Sequence, residues 1–179
     1  MDRANSPINS ILEQAACITR RSKETTGEIE PTEGYKRRQI KELIKFANTN
    51  NLWIDLSYLN ITYMDKGGEY EVFHDGKASV IKLNNFEYAG DDLENFFIRI
   101  AAHNKFFGNV PYQMIGFSYN TQDEFCAVLI QPYILAEREA TEEEIASYME
   151  ALNFEMDYYD EYHNESYEVF DAVPNNVLY

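Results

Sequence analysis

Cysteine is scarce in this 179-residue chain, limited to Cys17 and Cys126, with no Cys-x-x-Cys pair and no histidine at ligand spacing. That argues against a disulfide framework and against a zinc site, and it fits a reducing cytoplasm. Long apolar runs are also missing: no segment approaches the ~20 apolar residues of a membrane span. The N-terminus carries Asp2 and Arg3 followed by polar residues, not a basic region and an apolar core, so no secretory leader is read there. A soluble, cytoplasmic protein with no membrane partner is the expectation. Basic residues run out along the chain. Nine of the fifteen Lys/Arg lie before residue 46 and only Arg138 follows Lys105, within a net charge of −16. A surface of that sign repels phosphate backbones, so nucleic-acid binding is disfavoured except around Arg20-Arg21 and Lys36-Arg37-Arg38. A solvated acidic face is the plainer account of the excess.

What is present can build a core: 45% of residues are hydrophobic, enough for one domain or a modest domain with an extension. Ser6-Pro7 reads as an N-cap with proline at the first helical position, and Ile8, Ile11, Leu12, Ala15 and Ala16 then recur at helical spacing. Residues 22–34 read as a linker. A second stripe, Ile40, Leu43, Ile44 and Ala47, ends near Asn48-Thr49-Asn50-Asn51, and Trp53 follows as a large apolar anchor.

The period then changes to that of strands. Leu59 to Met64, Tyr70 to His74 and Ala78 to Leu83 read as an antiparallel meander, turning at Lys66-Gly67-Gly68 and at Asp75-Gly76. Asp91 to Phe107 places Leu93, Phe96, Phe97, Ile100 and Ala101 on one helical face, with acids at its start and Gly108 at its end. Tyr112 to Tyr119 and Glu124 to Ile130 read as two more strands, after which Pro132 ends regular pairing. Thr141-Glu142-Glu143-Glu144 is a capping box opening a helix through Ile145, Tyr148, Met149 and Leu152. Residues 155–168, rich in tyrosine and acids, read either as a hairpin or as an irregular excursion, where Asp157, Asp160 and His163 form a conceivable metal site. Near the end, Asp171, Pro174 and Asn176 stand at the spacings of a phosphotransferase catalytic loop, in which the Asp takes the proton of the attacking hydroxyl and the Asn holds a metal. The same residues also fit an ordinary loop entering a strand.

Several segments, in their order, carry a resemblance: Gly67 to Phe73, Val80-Ile81-Lys82, Leu93 to Phe96, His103 to Gly108, Gln131 to Ile134, Ala140 to Ile145, and Asp171 to Leu178. From about Trp53 onward the chain resembles the kinase-like domain of polyvalent proteins from phages and conjugative elements. That implies an α+β, protein-kinase-like fold: an N-terminal helical extension (1–51), a five-stranded antiparallel small lobe with one helix (52–135), and a strongly reduced large lobe (136–179). It also implies ATP and Mg as ligands. Gly67 and Gly68 would let the backbone approach phosphates, where a plain hairpin turn is the alternative, and Val72 would cover the base. Lys82 would bind phosphates and pair with Glu94 on the helix, where a surface lysine is the alternative. Gln131 and Tyr133 would belong to a hinge facing an adenine edge, Asp171 would be the base, and Asn176 a metal ligand.

Two departures bear on function. Val169 and Phe170 stand where such kinases usually carry His and Arg, and the second metal-binding acid expected after the Asn does not occur up to Tyr179, so either the chain is a piece of a longer protein or it no longer catalyses. The expectation is therefore a catalytically degenerate kinase-like protein of a bacterial mobile element, binding a protein partner or a nucleotide. The alternatives are an active ATP-dependent phosphotransferase, and an acidic decoy that mimics nucleic-acid charge.

Overall fold

A computed structural model of the chain describes residues 7–24 and 32–178. They divide into two units, the first ending at Tyr133 and the second beginning at Ile134. The first holds three α-helices and an antiparallel five-stranded sheet, so the chain is α+β.

Helices α1 (Pro7–Glu24) and α2 (Thr32–Asn50) open the first unit. Both run further than the apolar stripes alone predict, since Ser22 to Glu24 and Thr32 to Gly34 of the expected linker are helical. Ser6, the expected cap, and residues 25–31 lie outside the described residues, as does the side chain of Ile8. Leu12 and Ala15 of α1, with Leu43 and Ala47 of α2, enter one core with Phe86, Phe96, Phe97, Phe117 and Leu129. Their helical spacing puts each set on one face, and burying that face is what stabilises helices of this length.

The sheet is ordered β1 (Thr62–Lys66), β2 (Glu71–His74), β3 (Ser79–Asn84), β5 (Phe125–Pro132), β4 (Gln113–Tyr119). Helix α3 (Glu94–Phe106) connects β3 to β4, which lies beyond β5. The first strand starts later than its sequence suggests. Asp55 accepts hydrogen bonds from the Ser57 amide and hydroxyl and caps a short 3-10 turn at Leu56–Tyr58, which takes the chain out of extended geometry just before Leu59.

The edge of β4 is sealed locally. Residues 52–54 lie alongside it, the Phe117 amide donating to the Leu52 carbonyl (2.9 Å) and the Ile54 amide to the Phe117 carbonyl (2.8 Å). Glycine is required at Gly116, where φ is +154° and a Cβ would collide with the Leu52 carbonyl oxygen.

The second unit carries one α-helix, α4 (Glu142–Ala151), and a three-stranded sheet of β6 (Glu155–Tyr158), β7 (Glu161–His163) and β8 (Glu168–Val169). Of the two readings of residues 155–168, the hairpin is the one formed. The capping box is also formed: Thr141 Oγ1 accepts from the Glu144 amide and the Glu144 carboxylate from the Thr141 amide. Arg138 grips the same carboxylate through two hydrogen bonds of 2.7 and 2.6 Å, which, with the Thr141 amide, brings the Glu144 pKa down to about 2. Among the described residues no helix is long and apolar enough to cross a membrane.

Candidate functional site

Strand alternation decides where Lys82 goes. Its neighbours Ile81 and Leu83 pack with Cys126 and Val128 on one face, so Lys82 falls on the other, opposite Val72 of β2 and Leu129 of β5. There the ammonium is 3.3 Å from the Tyr112 hydroxyl, 5.5 Å from the Tyr70 ring centre and 5.2 Å from that of Tyr112. The two rings stack at 6.3 Å and 10°. Burial lowers the Lys82 pKa from its ordinary value, and among the described residues no carboxylate pairs with it. Cation–π contacts contribute about 0.5–2 kcal/mol each and leave the charge in place.

Tyr112 is fixed from behind. Asn104 of α3 accepts from the Tyr112 amide and donates to its carbonyl, both at 2.7 Å. His103 Nε2 (3.0 Å) and Gln131 Nε2 (2.8 Å) both reach the Val110 carbonyl. Burial, with the nearby Lys82 charge, lowers the His103 pKa despite the carbonyl contact, which favours a neutral ring with its proton on Nε2. Burial raises the Tyr112 pKa, with Glu69 adding to it, so the phenol stays neutral and offers Lys82 an acceptor.

The expected pair of Lys82 with Glu94 is not made. Glu94 sits in the first turn of α3 and accepts from Arg20 Nε (2.7 Å) and Lys23 Nζ (2.9 Å) of α1, one on each carboxylate oxygen. Burial acts to raise the Glu94 pKa, but the hydrogen bonds from Lys23 and Arg20 outweigh it and hold it low. Lys23 also pairs with Asp92, and fully buried Gln39 of α2 donates to Asp92 (2.7 Å) and the Thr19 carbonyl (3.2 Å) while accepting from the Leu93 amide (2.9 Å). Register explains the miss. Lys82 and Tyr112 meet α3 near His103, nine residues past Glu94, which is about 13 Å of helix rise.

The other expected residues fall as follows. Gly67 and Gly68 turn between β1 and β2; a Cβ at Gly67 would meet nothing within 4 Å, one at Gly68 would meet only the Tyr88 side chain, and neither has positive φ. Val72 is half-buried on the Lys82 face. The Gln131 side chain is committed to the Val110 carbonyl, and the Tyr133 amide donates to the Ala78 carbonyl (2.8 Å), so the donor expected of the hinge at Tyr133 already has a partner.

In the second unit, Asn176 Nδ2 donates to the Asp171 carbonyl (3.0 Å) and to Asp171 Oδ2 (2.8 Å), closing a loop around the Pro174–Asn176 3-10 turn. Asp171 has φ +63°, uncommon for a residue with a side chain. The loop is tied at both ends, by the Ala172 amide to the Asp160 carbonyl (3.0 Å) and the Ala140 amide to the Val177 carbonyl (2.8 Å). This geometry leaves the Asn176 amide oxygen as the atom that could meet a cation. Asp157 faces His163 at 2.9 Å, and no group of three metal-binding side chains occurs among the described residues.

A lysine on β3 beside two tyrosines, a glycine turn ahead of it and a closed Asp/Asn loop later in the chain, in an α+β fold, are compatible with a small kinase-like domain. The family is then specific. Residues 36–178 match the family described as serine/threonine/tyrosine kinase found in polyvalent proteins, and the chain belongs to it. No curated protein and no solved structure matches the chain.

Proposed function

We propose that this chain is a nucleotide-binding, kinase-like module of a bacterial mobile element, acting by holding nucleotide and a protein partner and not by turnover. Lys82 carries the reading: a half-buried ammonium, held by two tyrosines and neutralised by no carboxylate among the described residues. Such a cation gains most from an incoming anion, and nucleotide phosphates are the anions this family's chemistry handles. Gly67 and Gly68 support it, since neither backbone conformation nor packing requires glycine there. Loss of turnover is supported by Glu94: active kinases need the lysine–glutamate ion pair in place, and here both Glu94 oxygens are held by α1. Within the second unit, the Asn176 amide oxygen is the protein ligand that the resemblance would offer to Mg, its amide nitrogen being used by Asp171.

The test is calorimetric titration of ATP and a non-hydrolysable analogue, with and without Mg²⁺. Metal-dependent micromolar binding, about −8 kcal/mol, is expected. Absence of both heat and a thermal shift at millimolar ATP would remove the reading.

A second reading, an active phosphotransferase with Asp171 as base, is favoured by the Asn176–Asp171 hydrogen bonds. It requires ATP-dependent phosphorylation that Asp171→Ala abolishes; no turnover by the unmutated chain across a broad substrate panel rejects it.

A further inference from the structure

Lysine has a long, flexible stem, and a phosphate-binding lysine has to be aimed. Here a carboxylate does not aim it. The groups around the ammonium are the Tyr70 and Tyr112 rings, the Tyr112 hydroxyl and the neighbouring His103, while Val72 and Leu129 face it from β2 and β5. Glu69, whose charge acts on both tyrosines, is itself paired with Arg99 at 3.2 Å. Of these groups Tyr112 is the most rigidly placed: Asn104 brackets its backbone on both sides, its ring stacks on Tyr70, and the His103 ring packs at 4.6 Å.

We propose that Tyr112, backed by Tyr70 and bracketed by Asn104, is the positioning residue for Lys82, fixing the ammonium where a helix carboxylate would otherwise do so but without cancelling its charge. An aromatic face attracts a cation through its quadrupole and transfers no counter-charge, so the lysine is oriented while its charge remains available to an anion. A carboxylate would orient it and neutralise it together. This inference rests on the nucleotide reading only for the identity of the anion; the positioning of Lys82 is a property of the unliganded chain.

The experiment uses the full chain with ¹³C-labelled lysine, following the Lys82 Cε resonance through a pH titration without nucleotide, and then titrating ATP. Tyr112→Leu keeps an apolar neighbour but removes the ring and the hydroxyl. The Lys82 midpoint should fall by at least half a pH unit, and ATP affinity should weaken about tenfold (1.4 kcal/mol). Tyr112→Phe keeps the ring and should stay within threefold of the parent in affinity. Should Tyr112→Leu fail to fold, Tyr70→Leu removes the second ring and should move the midpoint in the same direction. An unchanged or raised midpoint in a folded Leu variant overturns the proposal, as does a Phe variant as impaired as Leu. A fallen midpoint in a chain that binds no ATP keeps the positioning role and rejects the nucleotide reading instead.

Discussion

The two ends of α3 treat charge in opposite ways. At its start, Asp92 and Glu94 face Arg20 and Lys23, and Gln39 of α2 ties Asp92 to the Thr19 carbonyl of α1, so cations and anions cancel in a network with several hydrogen bonds. At its finish, Lys82 meets tyrosines and a histidine, and its charge is left standing. Matched charges serve to join elements; an unmatched, partly buried one is costly to the fold and is kept where a ligand completes it. The helix is thus anchored by matched charges at one end and lies beside an unmatched one at the other.

Removing Gln39 should break the anchored end most completely. Gln39→Ala leaves a cavity and strips partners from Asp92, the Leu93 amide and the Thr19 carbonyl, and should cost about 2–4 kcal/mol in denaturant unfolding. Lys82→Met should do the converse at the other end. Unfolding stability should hold or rise, because a desolvated charge is gone, while ATP affinity drops at least tenfold, or about 1.4 kcal/mol. An affinity left intact would show that the unmatched charge is not the phosphate contact. Glu94→Gln is the smallest and the most discriminating. It should lower stability by about 1 kcal/mol or less, since Arg20 is largely exposed and the pair is screened, and leave ATP affinity within twofold. A large affinity loss would reinstate Glu94 as the partner of Lys82.

The acid limb of the stability curve gives the same contrast without mutation. Asp92 and Glu94 both have folded pKa values held below their ordinary ones, burial opposing and the hydrogen bonds from Lys23 and its neighbours prevailing. Their contribution is therefore complete above the unfolded carboxylate range near pH 4 and is lost as pH falls through the lower folded values. Glu94→Gln should flatten that limb. Lys82, whose pKa is depressed, contributes nothing there.

Local spacing made much of this visible beforehand: five strands and the α3 stripe follow from alternation and helical period, and the Thr141 capping box from its Thr-x-x-Glu motif. The partners of Glu94 did not, because Arg20 and Lys23 lie 74 and 71 residues away in a segment that reads as its own amphipathic helix. Nor did the role of Tyr112. With fourteen tyrosines in the chain, nothing local separates the one beneath Lys82 from the rest, although an Asn at position 104 and a tyrosine eight residues on mark a bracketed loop. The Lys82–Glu94 pair is implied by the resemblance alone, and a glutamate at a helix start suits the helix dipole whatever it pairs with, so nothing local names its partner.

The seal along β4 has a consequence for self-association. Strand addition needs an open row of amides and carbonyls, and on the β4 side residues 52–54 already use Phe117, while Gly116 admits no larger residue that could pry them off. That leaves β1, where the register slips between Tyr63 and Asp65 and the Lys66 ammonium pairs with Glu71 of β2 at 2.9 Å. A second chain trying to extend this sheet meets β4 already occupied at Phe117 on one side and an irregular edge carrying Asp65 and Lys66 on the other, and both features disfavour strand addition.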